Sequence, residues 1–292
     1  MSWGGIVISQ QETSYAQANT EVTTDQSNDV VGDNGTISTG VSVTVSATGG
    51  GTDQPDIKSD GSSGRGSVYG IKNTTAGGTA QSASVTIDTG KMDGVYGGYV
   101  ASSGSATNNS VTVNGGTIGA GRGFVYGGYA SNGNATNNSV TVNDGSGYTD
   151  YYGGYTINGS ANNNSVTIDH TATNTSTHTG NIYGGYAVGD SSAAIVSGNS
   201  VTIRETSGTT SVYDNVFGGH VMSNGTATNN SVAVSGGSIG NTVYGGFTLN
   251  GSASSNSVAV SGGSIAAAFG GGAINGTVNG NSVTVSGGTI GS

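Results

Sequence analysis

The sequence predicts an all-β protein, a parallel β-helix (β-solenoid) with about three short strands in each repeat of 25–34 residues. Three observations carry this prediction. Short motifs recur at that period, apolar and polar residues alternate within them, and no segment has the 3.6-residue periodicity of a helix. A propeller is the alternative, but a propeller blade needs four strands and about 40–45 residues.

The first motif is an aromatic residue followed by two glycines. Successive aromatic residues lie 30, 26, 31, 34, 27 and 25 positions apart, and Tyr69-Gly70 is an earlier, incomplete copy. We expect the glycines at tight corners, where φ is positive or two backbone segments approach closely. The aromatic residues are Tyr96, Tyr126, Tyr152, Tyr183, Phe217, Tyr244 and Phe269.

The second motif is Asn-Ser-Val-(Thr/Ala)-(Val/Ile), as in Asn109–Val113. Side chains alternate between the two faces of a strand, so Asn109 shares a face with Val111 and Val113. That face must be the interior. Stacked asparagines can hydrogen-bond amide to amide along the axis, which satisfies a buried polar group. The motif therefore predicts a structural asparagine ladder of Asn109, Asn138, Asn164, Asn199, Asn230, Asn256 and Asn281.

A third, weaker motif is Gly-Gly-(Thr/Ser)-Ile, which occurs at Gly115–Ile118, Gly236–Ile239, Gly262–Ile265 and Gly287–Ile290. The repeats define residues 36–292 as the solenoid domain. Residues 1–35 lack the motifs and gather acidic residues, which indicates a leader or an N-terminal cap. The chain stops within a repeat, so we expect the array to be truncated at its C-terminal end.

Composition excludes several classes of protein and partner. Glycine supplies 57 of 292 residues, yet there is one proline, which excludes collagen, and no cysteine, which excludes a disulfide framework. Six Lys and Arg residues against 16 Asp and Glu give a net charge of −10, so we predict no nucleic-acid partner. The longest apolar run in the repeats, Ile265–Phe269, is far short of the roughly 20 residues that a membrane helix needs. The first nine residues lack a secretory signal, so we expect a fragment of a longer protein.

The sequence predicts no catalytic residue, metal or cofactor. His220 occupies the repeat position of Tyr99, and the grouping of His170 and His178 with Asp169 is too thin a pattern for a metal site. Acidic residues lie at turns, where neighbouring turns could pair two of them for polysaccharide cleavage, but turns also favour solvated acids. These acids are Asp88, Asp93, Asp144, Asp150, Asp169, Glu205 and Asp214.

Two outward ladders could contact a ligand. One consists of Ser and Thr, as in Ser110 and Thr112; it could bind ice or be an ordinary soluble sheet face. The other consists of aromatic rings, which could contact a sugar or peptide, or could stack on each other at a corner and fill space. The predicted ligand-contact ladder is Tyr99, Tyr129, Tyr155 and Tyr186, continued by His220 and Phe247.

The repeats resemble the passenger regions of Gram-negative autotransporters. The resemblance covers roughly residues 65–292 and is clear in Val125–Ala130, Ala135–Val142 and Gly287–Gly291. It implies a right-handed β-helical stalk that is displayed at the bacterial cell surface, outside the outer membrane, and often serves in adhesion.

We therefore expect a non-enzymatic, secreted or surface-exposed adhesin-like stalk whose partner is a protein or glycan on a host or neighbouring cell. One alternative is a carbohydrate-active β-helix, such as a polysaccharide lyase or tailspike-like hydrolase. Another is a self-assembling fibre subunit. For the last turn, around Val283, Val285 and Ile290, apolar composition predicts end-to-end self-association.

Overall fold

The computed structural model describes residues 14–15, 19–26, 28–34, 40–47, 55–58, 65–119, 121–170, 177–189, 194–206 and 212–291. It is an all-β parallel β-solenoid with turns of about 27 residues, as predicted, and its described residues contain no helix. In this part of the chain, 26 strands form one sheet in which all strand pairings are parallel.

The strands are β1 (Ser14–Tyr15), β2 (Asn19–Val22), β3 (Val30–Asp33), β4 (Ser42–Val45), β5 (Ser67–Asn73), β6 (Ala80–Gln81), β7 (Ser84–Ile87), β8 (Lys91–Met92), β9 (Gly94–Ser103), β10 (Ala106–Thr107), β11 (Ser110–Val113), β12 (Thr117–Ile118), β13 (Gly123–Asn132), β14 (Ala135–Thr136), β15 (Ser139–Val142), β16 (Ser146–Asn158), β17 (Ala161–Asn162), β18 (Ser165–His170), β19 (Thr177–Ala187), β20 (Ala194–Ser197), β21 (Ser200–Glu205), β22 (Val212–Thr228), β23 (Ser231–Ser254), β24 (Ser257–Asn279), β25 (Ser282–Val285) and β26 (Thr289–Ile290).

Each repeat motif forms a column of strands that runs along the solenoid axis. The valine column contains the Ser-Val-Thr-Val strands, and its pairing is in register from turn to turn: Val111 pairs with Val85 on one side and with Val140 on the other. The aromatic column and the isoleucine column follow the other two motifs. A fourth, two-residue strand, such as β10, was not among the three predicted strands; we call its column the alanine column.

Alternation along the valine column sets what lies inside. In β11, Val111 and Val113 are 1% exposed, whereas Ser110 and Thr112 are half-buried on the outer face. The same alternation recurs in β15, β18 and β21, so the interior is a continuous stack of Val and Ile side chains. The facing predicted from the sequence is thus the observed one.

The seven asparagines of the second motif form one hydrogen-bonded ladder inside the solenoid. The side-chain oxygen of Asn164 accepts hydrogen bonds from the backbone N–H (2.9 Å) and the side-chain amide (3.0 Å) of Asn138. The Asn164 amide in turn donates to the carbonyl of Ala135 in the alanine column (2.9 Å) and to the side-chain oxygen of Asn199 (3.0 Å). This pattern repeats from Asn109 to Asn281, so that the alanine column supplies acceptors to the ladder.

The ladder also explains the double glycine of the first motif. A Cβ atom on the second glycine, such as Gly154, would collide with the side chain of the ladder asparagine, here Asn164. In the turn of Ala83 both rules are broken at once: the ladder position holds Ala83, and the second glycine is replaced by Ile71. Both are buried, so the larger residue fills the volume that the missing amide leaves.

The residue before each ladder asparagine turns the chain into the interior. It adopts a left-handed conformation, with φ between 55° and 66°, in every turn from Ser82 to Gly280. Asparagine tolerates this region better than other residues with a Cβ, which accounts for the paired asparagines in the sequence. The residues are Ser82, Asn108, Asn137, Asn163, Gly198, Asn229, Ser255 and Gly280.

The described strands of the segment 1–35 stack on the first turns. The strand β2 pairs with β4, and β3 pairs with β5, both in parallel. Backbone pairing does not require the asparagine motif, so the repeat motifs could not predict that these strands join the stack. At the other end of the described chain, Val283, Val285 and Ile290 are 40–51% exposed. Self-association through this turn stays a prediction.

Replacing Asn164 with Leu should lower the free energy of unfolding by roughly 1–3 kcal/mol or more, because it strands the Asn138 amide and the Ala135 carbonyl without partners. Chemical denaturation measures the effect. Thr167→Ala, on the outer face of the same strand, is the matched control and should change stability by about 0.5 kcal/mol or less. A larger loss for Thr167→Ala would contradict the facing.

Gly154→Ala and Asn164→Ala should each destabilise the protein, but the double variant should lose less than the sum of the two. The reason is that truncating the amide makes room for the new methyl group, as in the turn of Ala83 and Ile71. A double-mutant cycle should give a favourable coupling of about 1 kcal/mol or more. Strict additivity would show that the glycine and the asparagine are independent.

Candidate functional site

Two rows of aromatic side chains run along the outer face of the aromatic column. The first row comes from the first motif, and the second row begins three residues later, at Tyr99. Val95 and Val100 point inward on either side of this pair, and the two intervening glycines let both rings stay outside. The first row is Tyr69, Tyr96, Tyr126, Tyr152, Tyr183, Phe217, Tyr244 and Phe269, and the second row is Tyr99, Tyr129, Tyr155, Tyr186, His220 and Phe247.

The rings stack on each other along the axis. In the first row, neighbouring ring centroids lie 4.6–5.4 Å apart with interplanar angles of 3–17°. In the second row the centroid of Tyr129 lies 4.8 Å from that of Tyr99 and 5.1 Å from that of Tyr155. Rings of the two rows meet edge to face, as Tyr152 and Tyr155 do at 90°. These contacts fill the corner, which is the space-filling alternative set out above.

Stacking decides which part of each ring faces outward. The flat faces of Tyr129 and Tyr155 in the second row are covered by the rings of the neighbouring turns, so their edges are the outward parts. Tyr99 and Tyr186 are each stacked on one side. These four tyrosines are half-buried, whereas Tyr126 and Tyr152 of the first row are 7–8% exposed. The second row thus offers ring edges about 5 Å apart rather than open ring faces, in agreement with the stacking alternative.

Burial raises the pKa of several phenols in the two aromatic rows. Burial, followed by the proximity of Tyr126 and Tyr183, raises the pKa of Tyr152 far above its usual value. Burial likewise raises the pKa of Tyr126, and it raises that of Tyr186 in the second row to about 12. The aromatic rows therefore carry no charge at neutral pH.

A polar corner borders the aromatic rows. Asp150 has a fully buried side chain, which accepts a 2.6 Å hydrogen bond from the guanidinium of Arg122 and bonds from the backbone and side-chain amides of Asn181. Asn181 in turn accepts two hydrogen bonds from Asn215. These residues lie outside the recurring motifs, so the motifs could not predict the hydrogen-bonded row that they form.

The acids that the sequence placed at turns have separate partners. Asp88 bonds to Asn114 (2.8 Å), Asp169 pairs with Arg204 (3.4 Å), and Asp214 accepts a 3.3 Å hydrogen bond from Tyr148. Asp93 accepts from the backbone of Arg65. Asp150 and Glu205 are also bound, the first at the polar corner and the second in the interior. These contacts tie the acids to structural partners at several corners.

The histidines fall in two places. His220 stands in the second aromatic row, in register with Tyr186 and Phe247, as predicted for a substituted repeat residue. His170 and His178 both point into the interior and stack on each other at 4.9 Å, whereas Asp169 points outward to Arg204. The three residues weighed as a metal pattern are thus divided between the two faces of the sheet.

The outer serine and threonine columns are in register along the valine column. Ser110 pairs with Ser139 and Thr112 with Thr141, and the Thr column is interrupted at Ala233. This face is regular but lies on a different strand column from the aromatic rows.

Comparisons with protein families, with curated proteins and with solved structures find no match to this chain. None of the described residues belongs to a helix long and apolar enough to cross a membrane. The resemblance to autotransporter passengers therefore rests on the repeat motifs alone.

The neutral state of the buried phenols predicts alkaline unfolding. For Tyr186 the pKa is about 12 in the folded chain against 10.0 in the unfolded chain, so its contribution to stability is complete below pH 10 and is lost between about pH 10 and 12. Tyrosinate absorbance should therefore rise together with the loss of the far-ultraviolet strand signal. The chain unfolded in guanidinium, which should titrate near pH 10, is the control, and a native chain that titrates there without unfolding would contradict the prediction.

Proposed function

We propose that the protein is a non-enzymatic, adhesin-like β-solenoid that is displayed or secreted outside a bacterial cell, and that it corresponds to part of an autotransporter passenger. Its second aromatic row contacts a glycan on a host or neighbouring cell. The observation that carries this proposal is the regular row of tyrosine edges from Tyr99 to Tyr186, with one ring in each turn.

The chemistry of the row favours a neutral, hydroxyl-rich ligand. A phenol edge carries a hydroxyl that both donates and accepts hydrogen bonds, and its ring carbons add apolar contact. Only 8% of the residues of this protein are charged and the aromatic rows are neutral at neutral pH, so electrostatic capture of a strongly charged ligand has little support.

The repeating geometry favours a ligand that binds at several turns at once. Each tyrosine alone offers a small contact, but neighbouring tyrosines are held about 5 Å apart in fixed orientation. A polymer that reaches one tyrosine therefore meets the next at high effective concentration, which converts weak contacts into avidity. A polysaccharide-cleaving activity has less support, because the candidate acids are bound to structural partners.

The test measures binding to a panel of neutral and acidic glycans and to cultured cells before and after enzymatic removal of surface glycans. The triple variant Tyr129→Phe, Tyr155→Phe and Tyr186→Phe keeps the stacked rings but removes three hydroxyls. It should weaken binding about tenfold or more, since each lost hydrogen bond contributes about 1 kcal/mol.

The matched control is the same substitution in three buried tyrosines of the first row, each 7–8% exposed: Tyr69→Phe, Tyr126→Phe and Tyr152→Phe. It should change binding less than about twofold, because those rings lie behind the contact surface. Equal losses of binding in the two triple variants would show that the glycan does not contact the second row. Release of reducing ends from any glycan, or adhesion that survives removal of the glycans, would overturn the proposal.

A further inference from the structure

The interior of three successive turns holds a polar cluster where the neighbouring turns have aliphatic side chains. We call it the histidine cluster; its members are Tyr151, His170, His178, Glu205 and Tyr213, at most 7% exposed. A carboxylate oxygen of Glu205 lies 2.9 Å from Nδ1 of His170 and accepts a 2.8 Å hydrogen bond from the hydroxyl of Tyr213. The hydroxyl of Tyr151 lies 2.6 Å from Nδ1 of His178, and the two imidazole rings are stacked with centroids 4.9 Å apart.

The strands make room for this cluster by two local changes. The valine-column strands β18 and β21 are six residues long rather than four, and the added inward residues are His170 and Glu205, which pair with each other. In the isoleucine column, the residue that stands one turn after the inward Ile118 is Gly147, which contributes no side chain to the interior. Tyr151 stands in the register position of Val125 and fills the larger space.

The cluster holds one carboxylate beside two imidazole rings. Glu205 lies against His170, whereas Nδ1 of His178 meets the hydroxyl of Tyr151 and the ring of His178 is stacked on that of His170. A proton taken up by His178 therefore places a positive charge in a nearly dry interior, an arrangement that costs free energy.

The charged groups on these strands outside the cluster have partners of their own. Asp150 of β16 is held by Arg122, Asp169 of β18 pairs with Arg204 of β21, and Asp214 of β22 accepts a bond from Tyr148. Asp144, before β16, favours the charged form of His178, but burial and His170 outweigh it and lower the pKa of His178 to about 4. The unfolded chain binds this proton near pH 6.5, so folding loses stability as the pH falls from about 6.5 towards 4.

We propose that the histidine cluster is an acid-sensitive joint in the solenoid: protonation of His178 opens the strands β16, β18, β19 and β21, which surround the cluster, while the turns on both sides stay closed. At neutral pH the cluster holds these strands as firmly as the rest of the stack. In an acidic compartment or medium they open first, and the two closed stacks are then joined by a loosened segment.

Hydrogen exchange of the full chain at about pH 7 and about pH 4.5, expressed as protection relative to the intrinsic rates, tests the joint. Peptides covering residues 146–216 should lose at least about tenfold more protection on acidification than peptides from 109–142 or 231–260. His178→Gln cannot take up the proton and should remove this difference. His220→Gln is the matched control, because burial also lowers the pKa of His220 to about 4 but His220 lies outside the cluster.

Two further measurements keep the test decisive if His178→Gln does not fold. Glu205→Gln removes the carboxylate of the cluster, which favours the charged form of His178, and should therefore move the titration of His178 to lower pH. In the wild-type protein, the imidazole of His178 should titrate near pH 4 in an NMR experiment, together with the exchange. Uniform loss of protection along the chain, or titration of His178 near 6.5 with its turns still protected, would overturn the proposal.

Discussion

The position of the asparagine amide in the interior constrains the rest of the solenoid. Each amide must bond to the turn before it and the turn after it, which fixes the register of the valine column and requires the carbonyls of the alanine column. It also excludes a Cβ at the second glycine of the aromatic motif. That glycine lets the chain bend so that two aromatic residues, three positions apart, both face outward. The position of the aromatic rows therefore depends on the asparagine ladder, because the ladder requires the glycine that lies between the two aromatic positions.

The two faces of the sheet thus differ in how well they tolerate substitutions. Inside, a change at Asn164 affects Asn138, Asn199 and Gly154 together, because one amide serves several partners. On the outer face of the valine column, Ala233 and Ala259 replace threonine without a change of register. The turn with Ala83 and Ile71 shows that the interior accepts another solution when both partners change together. Ligand contacts can therefore vary on the outer face without disturbing the stack that supports them.

Sequence predicted the parts of the structure that recur. Period and alternation were enough for the strand columns, for the inward asparagines and for His220 as a member of the second aromatic row. The alanine column was not predicted, because most of its strands are two residues long and too short to show alternation. The sequence allowed stacked tyrosine rings as one of two arrangements, but the choice between stacked rings and open ring faces depends on side-chain torsions that a repeat pattern does not specify. The histidine cluster was not predicted, because His170 and Glu205 lie in strand extensions and Tyr151 replaces a valine, so that these residues meet only through the register of neighbouring turns.

The ladder has a direction. Every side-chain oxygen accepts from the turn that precedes it in sequence, and every backbone N–H of a ladder asparagine donates to the turn that follows, as Asn109, Asn138 and Asn164 show. The amide dipoles are therefore aligned head to tail and add along the axis instead of cancelling. The two ends of such a ladder therefore differ chemically: a turn presents N–H donors to the turn that follows it and an amide oxygen to the turn that precedes it.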